Sequence, residues 1–382
     1  MKVAIVHDWL NQMGGAESVL ESLMEMHAGA PLYTSIYWRK RMPDAYRAWD
    51  IRTSFMDRWP LVKRRHQMFL PFYPLAFERF DFAGYDLVVT NKSGFCHGII
   101  TPPETLHLCY CLTPTRYLWD TASYIRREGL GKVAQAALVP FLGQLRMWDR
   151  LAADRVDAFV AISETVRQRI AKYYRRDSTV IYPPVHTDRF EPSARQDDFY
   201  LVVSRLIPYK RIDLAVRAFT EMGKPLVVIG EGRDRAALES IAGKNVTFTG
   251  RLPFDQMRET LARCRALVFP GLEDFGITPV EAQASGRPVI AFAGGGALDT
   301  VEDGKTGILF REQTPESLMQ AVRTCEETAF DPALLRRSAE RFSAAAFRQQ
   351  FGEFTEKQLE QHRQLLKLNL DEPRRHGDHR DD

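Results

Sequence analysis

Residues 269–309 read FPGLEDFGITPVEAQASGRPVIAFAGGGALDTVEDGKTGIL, and the fold is decided here. The run RALVF at 265–269 stops at Pro270 and Gly271. Glu273 and Glu281 follow, eight positions apart, with Phe275, Gly276, Ile277 and Thr278 between them. A second apolar run, PVIAF at 288–292, breaks into Gly294, Gly295 and Gly296. The pattern predicts strand, loop, helix, strand, loop. Both loops then open on the same edge of a parallel sheet, where α/β proteins place ligands. Two well-separated carboxylates do not make a solvated acidic face; they are placed groups.

Upstream, the same alternation repeats. Phe199–Val203 reads as a strand, and Ser204–Arg211 as a basic loop holding Arg205 and Lys210. A helix (Ile212–Met222), a strand (Leu226–Gly230), a strand (Val246–Gly250) and a helix (Phe254–Arg263) follow, with helical pattern from Pro315 onward. Short apolar runs alternating with helices predict a parallel sheet covered on both faces. Arg offers a planar fork of donors and Lys a point charge, a pairing that suits a diphosphate; the alternative is that both pair with surface acids. The glycines 294–296 can add backbone N–H groups. Glu281, expected at the start of a helix, can accept two ribose hydroxyls, and Glu273 with the backbone of 275–277 can hold a second sugar.

The first half carries its own series. Strand Val3–Val6 leads through a loop to Gly14, Gly15, Ala16 and Glu17 and then a helical pattern. Glycines between strand and helix leave helix N–H groups open to an anion, although a tight turn alone would also use them. Strand Asp86–Thr90 ends near Phe95-Cys96-His97-Gly98, and strand Leu106–Tyr110 ends at Thr113–Asp120. His97 and Arg116 are the two residues expected in a cleft, against the commoner structural role of a lone histidine. A helix (Val133–Ala153), a strand (Ala158–Ile162) and a helix capped by Ser163 follow. The polar stretch 191–198 marks the expected boundary: an N-terminal domain over 1–190 and a C-terminal domain over 191–350. A C-terminal helix over 351–370 is expected to pack back on the first domain, and 371–382 to be a disordered tail.

The 382 residues suffice for two α/β domains. A net charge of +3 gives no case for nucleic acid. Residues 39–80, however, hold ten Arg or Lys against four acids, and 51–82 interleaves aromatics, basic residues and prolines. Residues 58–70 read as a short amphipathic segment for an anionic membrane surface, or else as a solvated helix face beside a Pro-rich packing loop. Five cysteines without a CxxC pair predict reduced, mostly buried thiols in a cytosolic protein. The N-terminal apolar run is too short for a signal peptide and no run spans a membrane. The expected location is therefore cytoplasmic, peripheral at the inner face of the membrane. There is no DxD triplet, no metal-ligand spacing, no GxGxxG after a strand and no P-loop. No metal and no organic cofactor are expected.

These residues resemble a known family. Glu273-x7-Glu281 in its setting resembles the signature of retaining GT-B glycosyltransferases of family 4. Ser204-Arg205-Leu206-x3-Lys210-Arg211-Ile212-Asp213 is similar to that family's diphosphate loop, and Gly14-Gly15-Ala16-Glu17 to its acceptor-side loop. Residues 110–120, YCLTPTRYLWD, and 180–185, VIYPPV, look like the branch that builds bacterial O-antigens and exopolysaccharides, often mannosyltransferases. The resemblance implies two Rossmann-like domains facing across a cleft, with a GDP- or UDP-sugar mainly on the C-terminal one. It implies that Arg205 and Lys210 hold the diphosphate and Glu281 the ribose. Glu273 and the Phe275, Gly276 and Ile277 amides, with Thr278 and Gly295 beside them, hold the donor sugar. The base lies near Gly250 and Arg251. Transfer of a hexose, mannose favoured, to a lipid-linked glycan retains the anomeric configuration. Three positions depart from the family pattern: Leu112 stands where many relatives carry a sugar-contacting His, His186 where Asp is common, and Asp299 where Glu is. Either His97 takes over from the missing His, or the donor lacks the hydroxyl contacted there. A GT-B epimerase, hydrolase or phosphorylase and a non-catalytic sugar-nucleotide-binding protein are the alternatives.

Overall fold

The computed structural model describes residues 1–120 and 132–371. The first sheet comprises β1 (Val3–His7), β2 (Leu32–Thr34), β3 (Ile51–Thr53), β4 (Leu87–Lys92), β5 (Leu106–Cys111), β6 (Ala158–Ala161) and β7 (Ser178–Val180). Its spatial order is β3-β2-β1-β4-β5-β6-β7. The second comprises β8 (Tyr200–Val203), β9 (Leu226–Ile229), β10 (Val246–Gly250), β11 (Leu267–Phe269), β12 (Val289–Phe292) and β13 (Gly307–Phe310), in the order β10-β9-β8-β11-β12-β13. Every neighbouring pair is parallel. β4 and β5 are buried at every position, as strands covered on both faces must be. In each sheet the strand order reverses at the centre, between β1 and β4 and between β8 and β11. The crevice outside the carboxyl ends at such a reversal is the ligand position of this architecture.

The helices of the first half are α1 (Gly15–Met26), α2 (Tyr73–Glu78), α3 (Arg116–Trp119), α4 (Lys132–Asp154) and α5 (Glu164–Tyr174). Ser163 caps α5 by accepting from the Val166 amide, as its position predicts. The second half has α6 (Ile212–Met222), α7 (Arg235–Ser240), α8 (Phe254–Arg263), α9 (Ile277–Ala284), α10 (Ala297–Thr300), α11 (Pro315–Glu327), α12 (Pro332–Glu340) and α13 (Ala344–Asp371). α13 begins at 344, earlier than the sequence reading has it, and returns to the first sheet. Phe347 and Phe351 stack on each other and meet the edge of Tyr110 in β5, and Arg348 pairs with Glu25 of α1 at 3.6 Å. Of the tail expected to be disordered over 371–382, Asp371 closes α13 and residues 372–382 lie outside the described residues.

Residues 58–70 do not form one continuous amphipathic segment but lie in a stretch, 51–82, of short elements. That stretch holds the edge strand β3, 3-10 turns at Phe55–Arg58 and His66–Phe72, and α2. Met56, Val62, Leu70, Tyr73, Ala76 and Phe77 turn into the core, whereas Leu61, Met68, Phe72 and Leu75 stay exposed beside exposed Arg64 and Arg65. All five cysteines are free and buried. Among the described residues no helix is long and apolar enough to cross a membrane.

Candidate active site

Three loops at the carboxyl edge of the second sheet build one side of the site. After β8, the chain turns through Pro208–Lys210, leaving Arg205 exposed and Lys210 pointing at the next loop. After β11, Gly271 lies so close to the Lys210 backbone that a side-chain carbon there would stand 2.9 Å from the Lys210 carbonyl oxygen. The Lys210 ammonium pairs with the Glu273 carboxylate. Gly276 then takes φ +87°, a left-handed conformation in which a side chain would also strike Phe269, and α9 starts at Ile277. After β12 comes the triple glycine. Gly295 has φ +63°, and any side chain there would overlap the Glu273 carbonyl; Gly296 donates its N–H to that same carbonyl at 2.9 Å. The glycines therefore brace the backbone of 273–275, and of the three amides only that of Gly295 has no partner among the described residues.

The first domain meets this edge. α1 starts at Gly15, and a side-chain carbon on Gly15 would stand 3.0 Å from Cδ1 of Ile277. The N-termini of α1 and α9 thus converge on one point, bringing two sets of unpaired N–H groups and two positive helix ends together. Arg116 of α3 and Arg169 of α5 both cross the cleft to Asp274, Arg169 at 2.5 Å. Burial would raise the Asp274 carboxyl, but the two guanidiniums outweigh it and hold it below its usual value. Glu281 sits in the second turn of α9, not at its start, and burial pushes its carboxyl up to about 7.

Residues 13–189 match the family model Glycosyltransferase Family 4, and residues 186–348 match Glycosyl transferases group 1. Each half of the chain is thus similar to a glycosyltransferase family model. An uncharacterized glycosyltransferase of Methanocaldococcus jannaschii is 26% identical over 182 residues, 46% of this chain and 52% of that protein. Glycogen synthase of Pseudomonas syringae is 30% identical over 232 residues, 58% and 45% of the two chains. A GDP-mannose-dependent alpha-(1-6)-phosphatidylinositol monomannoside mannosyltransferase of Mycobacterium tuberculosis is 30% identical over 205 residues, 45% and 53%. The chain spans about half the length of the curated relatives it matches. Among solved structures, Anabaena Alr3699/HepE in complex with UDP and glucose aligns with TM-score 0.67 at 16% identity, over 93% of this chain and 99% of that one. Sucrose-phosphate synthase of Thermosynechococcus elongatus aligns with TM-score 0.67 at 17% identity, over 94% and 99%. At such identity the likeness shows the fold, the two-domain GT-B arrangement.

The cleft gathers Gly14, Gly15, Arg116, Lys210, Glu273, Gly276, Ile277, Thr278 and Gly295 around the two helix N-termini, with Arg205 exposed beside them. Gly250, φ +74°, ends β10 and exposed Arg251 follows it, two strands away from β8 and its Arg205 loop. Two expected site residues do not face the cleft. His97 is fully buried, its Nε2 against the Asp149 carbonyl at 3.1 Å and its ring stacked on Tyr174. It cannot replace a sugar-contacting His at Leu112. Glu17 is 4% exposed and lies 3.5 Å from Nε2 of His7, tying the first turn of α1 to β1. Apolar neighbours and a polar partner within the domain claim both side chains.

Other residues at the cleft carry no signal in the sequence. Asp8 is fully buried and accepts from the amides of Ser93, Gly94, Phe95 and Cys96 at 2.6–2.8 Å, which fixes the loop after β4. Lys92, also fully buried, donates to Thr113 O and Thr115 Oγ1. Burial disfavours its charge, but Asp149 together with Cys111, Cys109 and Asp8 outweighs burial and keeps it protonated. Asp149 accepts from Thr115, Trp119 and Tyr174 at 2.6–2.8 Å. This buried pair holds the loop 113–119 that presents Arg116.

Proposed function

We propose that the chain is a retaining glycosyltransferase that moves a hexose, mannose favoured, from a GDP- or UDP-linked donor to a lipid-linked glycan in cell-surface polysaccharide synthesis. The observation that carries this reading is the convergence of the α1 and α9 N-termini beside Lys210. Helix ends bind anions, and two of them with an ammonium form a seat for a diphosphate. Mannose is favoured because a GDP-mannose-dependent enzyme is among the relatives; UDP stays in the proposal because solved neighbours are complexes with UDP.

In this reading Arg205 and Lys210 hold the diphosphate and Glu281 the ribose, with the base beyond Gly250 and Arg251. Glu273 passes Lys210 to the arriving phosphate and turns to the donor sugar, beside the amides of Phe275, Gly276 and Ile277 and the Thr278 hydroxyl. The bond from the anomeric carbon to the phosphate oxygen breaks, and the acceptor oxygen bonds that carbon on the same face. The acceptor proton passes to the departing phosphate. Lys210, Arg205 and the helix ends stabilise the charge that develops there, so the chemistry needs no metal. Leu112 gives the sugar an apolar neighbour. The exposed Leu61, Met68, Phe72 and Leu75 with Arg58, Arg64 and Arg65 dock the protein on the anionic inner face of the membrane.

The departure at Leu112 is the one feature that favours a non-catalytic sugar-nucleotide-binding protein. A thermal-shift panel of GDP, UDP, ADP and their sugars, followed by release of nucleotide from a labelled donor, tests the proposal. A bound nucleotide at 100 times its Kd stabilises by about 2.7 kcal/mol. Release only when acceptor is present supports transfer. Release without acceptor indicates hydrolysis or epimerisation, and binding without release the non-catalytic reading.

A further inference from the structure

Beside the donor loop lies a cavity of about 160 Å³ whose purpose the donor reading leaves open. Arg116, Arg169, Trp119 and Tyr173 of the first domain line it, facing Asp274 and Leu272 of the second, and exposed Asp120 stands at its rim. We propose that this cavity is an acceptor subsite for a sugar that carries an anionic group, a phosphate or a carboxylate. The inference rests on the donor assignment, since Asp274 directly follows Glu273.

Three observations argue for an anion. The two guanidiniums converge on a single carboxylate, Arg116 on Oδ2 and Arg169 on Oδ1 of Asp274. Each guanidinium has five N–H donors in a planar fork, so one carboxylate leaves most of them unused. An anion that takes the place of that carboxylate meets two guanidiniums already brought together. The arginines are also not flexible surface groups: Arg116 follows the loop that Lys92 and Asp149 hold from below, and Arg169 reaches Thr113 Oγ1 at 3.4 Å as well as Asp274. Beside them Trp119 and Tyr173 stack with centroids 4.9 Å apart and planes 14° apart, and the Trp119 indole N–H is fixed on Asp149 at 2.7 Å. A fixed aromatic pair offers apolar contact to a sugar ring at little cost in side-chain freedom. Asp120 at the rim can accept sugar hydroxyls, while the arginines take the charge.

The same geometry makes Asp274 a competitor. With no acceptor bound it occupies both arginines and joins the two domains. An incoming anion takes its place, which frees the Asp274 side chain beside Glu273. Removing the Asp274 charge should therefore strengthen anion binding, whereas a purely structural ion pair predicts only loss.

The test is ligand-observed NMR titration of the full chain with glucuronate, glucose 6-phosphate and glucose. The expected result is that at least one anionic sugar binds on the order of tenfold or more tightly than glucose, the scale of a charge-assisted hydrogen bond. The tighter of the two anions identifies carboxylate or phosphate as the group recognised. Arg169→Ala should erase the preference and Arg169→Lys retain part of it, with melting temperature checking that each variant is folded. Asp274→Asn should widen the preference. Lys210→Ala should weaken nucleotide binding but not the preference for anionic sugars, so failure of the donor reading and failure of this one give different patterns. Equal binding of all three sugars, or a preference that survives in folded Arg169→Ala, would overturn the proposal.

Discussion

Burial pushes the Glu281 carboxyl up to about 7, so near neutral pH it is half protonated before any ligand arrives. Ribose hydroxyls that donate to it favour the carboxylate and lower that pKa. Nucleotide binding at pH 6.5–7 should then release a fraction of a proton, which calorimetry in buffers of different ionisation enthalpy measures. Glu281→Gln should abolish the release; an unchanged buffer dependence would remove Glu281 from the ribose. The same group has a stability signature. Its folded pKa lies above the unfolded value of about 4.3, so its contribution is present below that pH and lost as pH rises through about 7. The ligand-free wild type should therefore lose more stability than Glu281→Gln between pH 5 and 8. Lys210→Ala should leave the fold intact and lower transfer on the order of a hundredfold, the usual loss for a group that stabilises developing charge. At this scale the sequence put Lys210 and Glu273 on one sheet edge, where the structure pairs them, but put Glu281 one turn too early in its helix. It misled where a polar type stood near the right strand end: His97 and Glu17 follow the correct strands but turn inward, and only packing decides which way a side chain turns.

Among the elements, the triple glycine is more a brace than a ligand. Gly295→Ala would force a carbon against the Glu273 carbonyl from a left-handed backbone. It should cost on the order of 1–3 kcal/mol in denaturant unfolding and weaken nucleotide binding by displacing 273–275. Asp149→Ala should cost more, about 3–5 kcal/mol, because it strands a buried Lys92 without its counter-charge; a loss under 1 kcal/mol would contradict the account of the loop 113–119. Strands β4, β5, β8 and β12 were readable as apolar runs. The edge strand β3 and its neighbour β2 were not: each has three residues, too few to show a period. Residues 58–70 looked like one amphipathic segment because buried and exposed apolar residues alternate there through turns, not along one helix.

For the whole molecule, two-domain α/β architecture followed from regular alternation of strands and helices, which a parallel sheet requires. What joins the domains did not. Arg169 and Asp274 are 105 positions apart, and no spacing rule links them. The exposed apolar and basic patch on the first domain predicts binding to anionic vesicles that weakens with salt and on Arg64→Glu with Arg65→Glu; cosedimentation at two salt concentrations measures it. Absent or salt-independent binding would leave that patch a solvated face.

The central claim is that a nucleoside diphosphate sits where α1 and α9 converge beside Lys210. Calorimetric titration of GDP, UDP and ADP into the wild type and Lys210→Ala tests it most directly. The account predicts that one nucleotide binds the wild type and that Lys210→Ala binds it on the order of tenfold more weakly or worse, the scale of a charge-assisted contact. Binding of none of the three, or equal affinity in a folded Lys210→Ala, would contradict it.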